Sequence, residues 1–181
     1  MYVNNGTNTG DYAHPNCRAA AGDTIPFMID NTYHLFQLGS PPNTVHHPAR
    51  VRCSWVRQKS QDLINWTRDS DYVLSPGSVT TDFDRDGCWT GSAVNGPNGN
   101  MHTFYTGYNL AENGKQVSLH ARSSDLEGSK FIKPDAPISL DALSSLQRYE
   151  ATDFRDPYVF YNDNENVYWM LVAIRFSKGP Y

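Results

Sequence analysis

The sequence is poor in glutamate, in cysteine and in clustered positive charge, and it contains no long apolar run. Its glutamates are Glu112, Glu127, Glu150 and Glu165, far outnumbered by Asp and Asn, a bias that favours turns over helices. Its three cysteines, Cys17, Cys53 and Cys88, are an odd set without C-x-x-C spacing, which speaks against a zinc site or a disulfide framework. Cys53 sits in a strand-like run and reads as a buried thiol. The formal net charge is -4 and the basic residues are scattered, so the basic patch that a nucleic-acid partner requires is missing. The densest basic stretch, "ARVRCSWVRQK", alternates like a strand with one wet face. No apolar run approaches the roughly 18 residues of a membrane span, so no membrane partner is expected. The start, "MYVNNGTNTG", is polar and shows no apolar core of an export signal.

What is present is aromatic. Eleven Tyr, eight Phe and four Trp are spread over 181 residues, enough for one ordinary domain with a real core. Two sequons, at Asn5 and Asn65, would permit glycosylation of a secreted protein. Three stretches share one design: "PFMIDNTYHLFQL", "GSAVNGPNGNMHTFYTGY" and "PYVFYNDNENVYWMLVA". Each is an apolar run, a turn rich in Asn, Asp or Gly, and a second aromatic run, the pattern of a β-hairpin. Their second strands, beginning at Tyr33, Met101 and Tyr168, recur at nearly equal spacing. Such a period in an all-β chain points to radial repetition, and a β-propeller is the leading architecture. "RVRCSWVRQ", "DYVLS" and "KQVSLHARS" are the expected outer strands of the blades. One short helix is expected at Leu140, Leu143 and Leu146, whose spacing gives one apolar face. Three hairpins cannot close a ring of about four to eight blades. The expectation is therefore an incomplete set of about three blades, with residues 1–21 as an N-terminal extension and 22–181 as the first part of a larger propeller. A missing C-terminal half or a partner would complete it.

The repeat brings two aspartates into correspondence. Asp23 precedes the first hairpin and Asp156, in "DFRDPYVF", precedes the third, each followed by a proline, Pro26 and Pro157. If both lie on innermost blade strands they converge on one pocket. Paired carboxylates suggest retaining glycoside hydrolysis, in which one attacks the sugar and a protonated carboxyl about 5–5.5 Å away serves the leaving group. Arg155 beside Asp156 favours its ionised form, which suits gripping sugar hydroxyls better than donating a proton. Trp55, Trp66 and Trp89 could stack on sugar faces, although Trp66 reads equally as core.

Other motifs lead less far. "DFDRDG", Asp82 to Gly87, begins like an EF-hand loop, but its twelfth position is Ala93 rather than Glu, so an acidic turn is the favoured reading. His46 and His47 read as loop residues, "NGPNGN" is followed by no helix that would cradle phosphate, and no Ser/His/Asp arrangement is visible. No metal and no organic cofactor is expected.

Taken in order, "GDTIPFMIDNTYHLFQL", "SQDLINW", "CWTGSAV", "HTFYTGYN" and "DFRDPYVF" resemble the N-terminal half of glycoside hydrolase family 32, the five-bladed invertases, inulinases and levanases. The resemblance runs from about Gly22 to Tyr181. It implies a β-fructosidase acting on sucrose, inulin or levan by double displacement, with an extracellular parent protein. By the same resemblance Asp23 is the nucleophile, in "GDTIP" where the family has Asn-Asp-Pro-Asn-Gly, and Asp156 is the transition-state stabiliser in an intact Arg-Asp-Pro motif. Arg155 would bind the fructosyl unit or orient Asp156. Trp89, Thr90 and Ser92 would line the sugar pocket, and Trp55 matches a pocket tryptophan. Gln37 answers to the family's strand-ending glutamine, but stands one residue early, with Leu38 in its place. The acid/base glutamate of a Glu-Cys motif has no counterpart, and Glu150 is the nearest substitute. Loss of an acid typically costs about 10²–10⁴-fold, so this chain alone is expected to be nearly inactive. Two alternatives remain open: a non-catalytic carbohydrate-binding propeller remnant, and a related furanosidase acting on arabinosides.

Overall fold

The computed structural model describes residues 21–39, 52–133, 136–138 and 149–176. The expected helix at Leu140–Leu146, His46, His47, Cys17 and the Asn5 sequon lie outside them. Ten strands and one 3-10 turn are present among the described residues, with no α-helix.

The first hairpin pairs β1 (Ala21–Ile29) with β2 (Thr32–Gly39). Asp30 and Asn31 fill a two-residue turn with φ of 44° and 61°, the positive-φ pair that matches the twist of flanking strands and favours Asp and Asn. β3 (Ser54–Ser60) and the short β4 (Thr67–Arg68) extend the sheet in the order β1-β2-β3-β4. Between β3 and β4, "SQDLIN" closes on itself. The Asp62 carboxylate accepts from the backbone N–H groups of Ile64 and Asn65 and from Asn65 Nδ2. The Asn65 donors hold it well below the usual carboxylate range.

β5 (Gly87–Asn95) and β6 (Met101–Asn109) form the second hairpin, followed by the turn Leu110–Glu112, β7 (Lys115–Ser123) and β8 (Phe131–Ile132). β9 (Tyr149–Asn162) and β10 (Val167–Phe176) form the third, joined to the second sheet through one parallel pairing, Gln116 opposite Asp153. All three expected hairpins are present, the first two opening their sheets and the third lying at the edge of the second sheet. The architecture is that of an incomplete propeller: two four-stranded blades and the first two strands of a third. Within "DYVLS" no strand forms. Leu74 makes a single bridge to Trp55, and residues 75–77 that follow are irregular.

The core lies between the first two blades, where β5 packs against β1, β2 and β3. Phe36, Trp55, Tyr105 and Phe131 meet there at ring separations of 5.9 to 6.3 Å. Side chains of this size bury the most apolar area per residue, and edge contacts add to it. Cys53 and Cys88 are buried thiols outside any disulfide, and Cys88 joins this cluster. The third hairpin leaves Tyr158, Trp169 and Leu171 exposed.

Candidate active site

The first strands β1, β5 and β9 carry the candidate residues, and each is interrupted at them. On β1, Gly22 faces Leu38 and Thr24 faces Gln37, so Asp23 is an extra residue without an opposite. On β5, Cys88 faces Gly107 and Gly91 faces Tyr105, leaving Trp89 and Thr90 opposed by Thr106 alone. On β9, Arg155 faces Ala173 and Tyr158 faces Leu171, so Asp156 and Pro157 share Val172. Each is a β-bulge of one residue, a device that bends a strand and re-aims a side chain. Gly91 is required beside the β5 bulge, since a Cβ there would lie 1.9 Å from the Phe104 carbonyl oxygen.

Buried side chains tie the bulges together. Trp55, opposite Leu38 on β3, donates its indole N–H to the Trp89 carbonyl at 3.0 Å, linking the β1 side to the β5 bulge. Thr106 Oγ1 accepts the Asp156 backbone N–H at 2.7 Å, linking the β5 and β9 bulges. Ser92 Oγ accepts the Val159 N–H at 2.9 Å and donates to the Pro157 carbonyl at 3.0 Å. No backbone ladder joins β5 to β9, and these two hydroxyls take its place.

The two aspartates are held differently. Asp23 is exposed on its bulge. Asp156 has φ of 53°, uncommon for any residue with a side chain. Arg155 Nε lies 3.8 Å from Asp156 Oδ2 with both side chains about two-fifths exposed, a contact worth about 0–1 kcal/mol. The Arg155 guanidinium also donates to Gln116 Oε1 at 3.2 Å. Gln116 donates in turn to Asp153, a buried carboxylate that Arg175 meets at 2.8 Å. Glu150 lies 3.8 Å from the same Arg175.

Several sequence expectations need correction. Trp55 has no exposed surface; it packs in the core and supports Trp89 rather than offering a face. Trp66 is likewise buried, its N–H spent on the Leu63 carbonyl. Ser92 is 3% exposed and both hydroxyl bonds go to β9, so it staples two strands rather than lining an opening. Gln37 alternates to the opposite face of β2 from Phe36 and Leu38, where its amide oxygen accepts from Gln58 at 2.5 Å. Trp89 and Thr90 remain half-buried, and Trp89 stacks on Tyr108 at 4.2 Å and 19°. Thr106 and Tyr108 were missed. Alternating threonines and tyrosines in "HTFYTGY" carry no mark of which one meets a bulge.

The acidic turn of "DFDRDG" spends its carboxylates internally. Asp82 accepts from the Val79 N–H, Asp86 from the Leu110 N–H, and Asp84 from the Gly77 N–H and the Tyr105 hydroxyl. Lys133 reaches the buried Asp84 at 2.5 Å. Burial and the Asp84 charge push the Cys88 thiol up, and burial pushes the Tyr105 hydroxyl up.

The chain spans about a quarter of the length of the curated relatives it matches. It is 30% identical over 155 residues to a fructan 6-exohydrolase of Beta vulgaris, covering 84% of this chain and 24% of that protein. It is 27% identical over 177 residues to a cell wall isozyme of beta-fructofuranosidase from Zea mays, covering 94% and 28%. The solved sucrose-6-phosphate hydrolase of Lactobacillus gasseri superposes with a TM-score of 0.63 at 27% identity, over 87% of this chain and 29% of that one. The family model for the glycosyl hydrolases family 32 N-terminal domain matches residues 24–179, and this chain belongs to that family.

Proposed function

We propose that residues 22–181 supply the nucleophile and the transition-state stabiliser of a retaining β-fructosidase, with residues 1–21 as an extension. The observation that carries this is the recurrence of one bulge on three successive first strands, two of them presenting aspartates. Asp23 Oδ attacks the anomeric carbon of a fructosyl unit as the bond to the leaving oxygen breaks. Asp156 accepts from hydroxyls of the same unit and strengthens its hold as positive charge develops on the ring. Trp89, Thr90 and Arg155 surround the sugar, while Trp55 and Ser92 act from behind the surface.

The proton for the leaving group is not supplied by the glutamates of this chain. Glu112 and Glu127 pair with Lys115 and Lys59, Glu150 with Arg175, and Glu165 accepts the Trp169 indole N–H. The substrates are fructose-containing oligo- or polysaccharides of the sucrose, inulin or levan class, met outside the cell, in keeping with the cell-wall relative. Arabinosides are the second reading, because a furanose ring presents similar hydroxyls.

An aryl β-fructofuranoside with an acidic phenol tests the first step without a proton donor. The expected result is a chain carrying one fructosyl unit by intact mass, lost in Asp23→Asn while fructose still binds. An adduct of equal yield in Asp23→Asn would overturn the nucleophile assignment. Fructose binding with no adduct in the unmodified chain would favour a carbohydrate-binding module. Adduct from an aryl arabinofuranoside instead would move the substrate class.

A further inference from the structure

We infer that Thr106 is a positioning residue for Asp156, holding its backbone in the strained conformation that aims the carboxylate; the inference rests on the stabiliser role proposed for Asp156. A positive φ costs a non-glycine residue about 1–3 kcal/mol and persists only where the surroundings impose it. Asp156 also precedes Pro157, and a residue before proline is normally pushed toward extended backbone. Asp156 nevertheless holds a φ of 53° at its bulge in β9.

Thr106 accounts for it. Its hydroxyl accepts the Asp156 N–H at 2.7 Å and reaches Oδ1 of the same residue at 3.4 Å, so one oxygen faces both backbone and side chain. Thr106 has no exposed surface, and a β-branched residue has little freedom at χ1, so the position of that hydroxyl is set by packing. Thr106 is also the single residue opposite the Trp89–Thr90 bulge. Thr106 therefore touches both bulges, lying opposite one and bonding the other. Ser92 fixes the following peptides through Pro157 and Val159, leaving the Asp156 amide to Thr106. Without that acceptor Asp156 can relax to the extended region, and its carboxylate swings off the sugar.

The test compares Thr106→Val, which keeps the shape, with Thr106→Ser, which keeps the hydroxyl. Two readouts are taken on the 181-residue chain: amide hydrogen exchange at Asp156, and the dissociation constant for fructose by NMR titration. Thr106→Val is expected to speed Asp156 exchange about ten-fold, the equivalent of one buried hydrogen bond, and to weaken fructose binding by a similar factor. Thr106→Ser should stay within about two-fold of the parent in both. If Thr106→Val does not fold, Thr106→Ala takes its place against Thr106→Ser. Equal losses in the Ser and Val variants would assign the effect to packing and overturn the inference, as would unchanged exchange in Thr106→Val. If the parent chain does not bind fructose, the function proposed above fails while the exchange measurement still decides the role of Thr106.

Discussion

The bulges of β1 and β9 are the same local device with opposite fixings. At β1 the extra residue, Asp23, is exposed and its backbone is not in the positive-φ region. At β9 the extra residue has a positive-φ backbone whose N–H is held by Thr106, while Ser92 holds the residues after it. A group that attacks carbon must approach its target during the reaction. A group that grips hydroxyls gains by being preorganised, because no reorganisation is then required as charge develops. The difference in fixing matches the two roles proposed for these residues.

The largest effect should come from the link beneath the β1 side. Trp55→Ala removes a fully buried indole and should cost about 3–5 kcal/mol, read as a shift in the urea midpoint. Trp55→Phe keeps most of the volume but drops the donor to the Trp89 carbonyl, and should cost about 1–3 kcal/mol. Next comes a reversal between the two bulges. At Asp156 the Gly variant should be more stable than the Ala variant by about 1 kcal/mol, because glycine adopts positive φ without penalty. At Asp23 the order should invert, Ala exceeding Gly by about 0.5–1 kcal/mol. The same order at both sites would erase the distinction drawn between them.

Smaller effects follow from pH. Burial, then Arg122, lowers the pKa of His102 below its ordinary 6.5, and burial, then His102 and Arg122, lowers that of His120. The two rings meet at 2.7 Å across β6 and β7. Burial and Arg57 lower His34 in the first blade likewise. Between the lowered folded value and 6.5 the unfolded chain binds more protons than the folded one, so stability rises with pH there. The contribution is complete above 6.5 and is lost as the pH falls below it. Melting temperature should therefore drop between neutral pH and about pH 5, and His102→Gln should flatten part of that drop. The smallest effect belongs to Arg155→Ala, below about 1 kcal/mol in stability, since its contact with Asp156 is long and half-exposed.

The hairpins were legible because alternation and turn chemistry are local. Asp30-Asn31 announces its turn through two residues that tolerate positive φ, and "KQVSLHARS" forms β7 over its whole length. The repeat set Asp23 and Asp156 in correspondence, and the family was legible through five motifs in order. The bulges were not, since one inserted residue shifts a register without leaving a mark in composition. That is why Trp55 and Ser92, expected to line a pocket, are instead buried beneath the bulges. "DYVLS" misled for a related reason: β-propensity describes a residue's fit to a half-buried pleat, and here the backbone bonds only locally, to Trp55 and Phe131, without a continuing ladder.

By itself, then, the order of residues determined which segments become strands, where they turn, and which aspartates begin the first and third hairpins. Those outcomes rest on backbone sterics and side-chain alternation within a few residues. Which hydroxyl meets which amide was left to tertiary structure. Thr106 and Asp156 are fifty residues apart, and only the packing of one blade on the next brings an unsatisfied N–H and a buried hydroxyl to 2.7 Å.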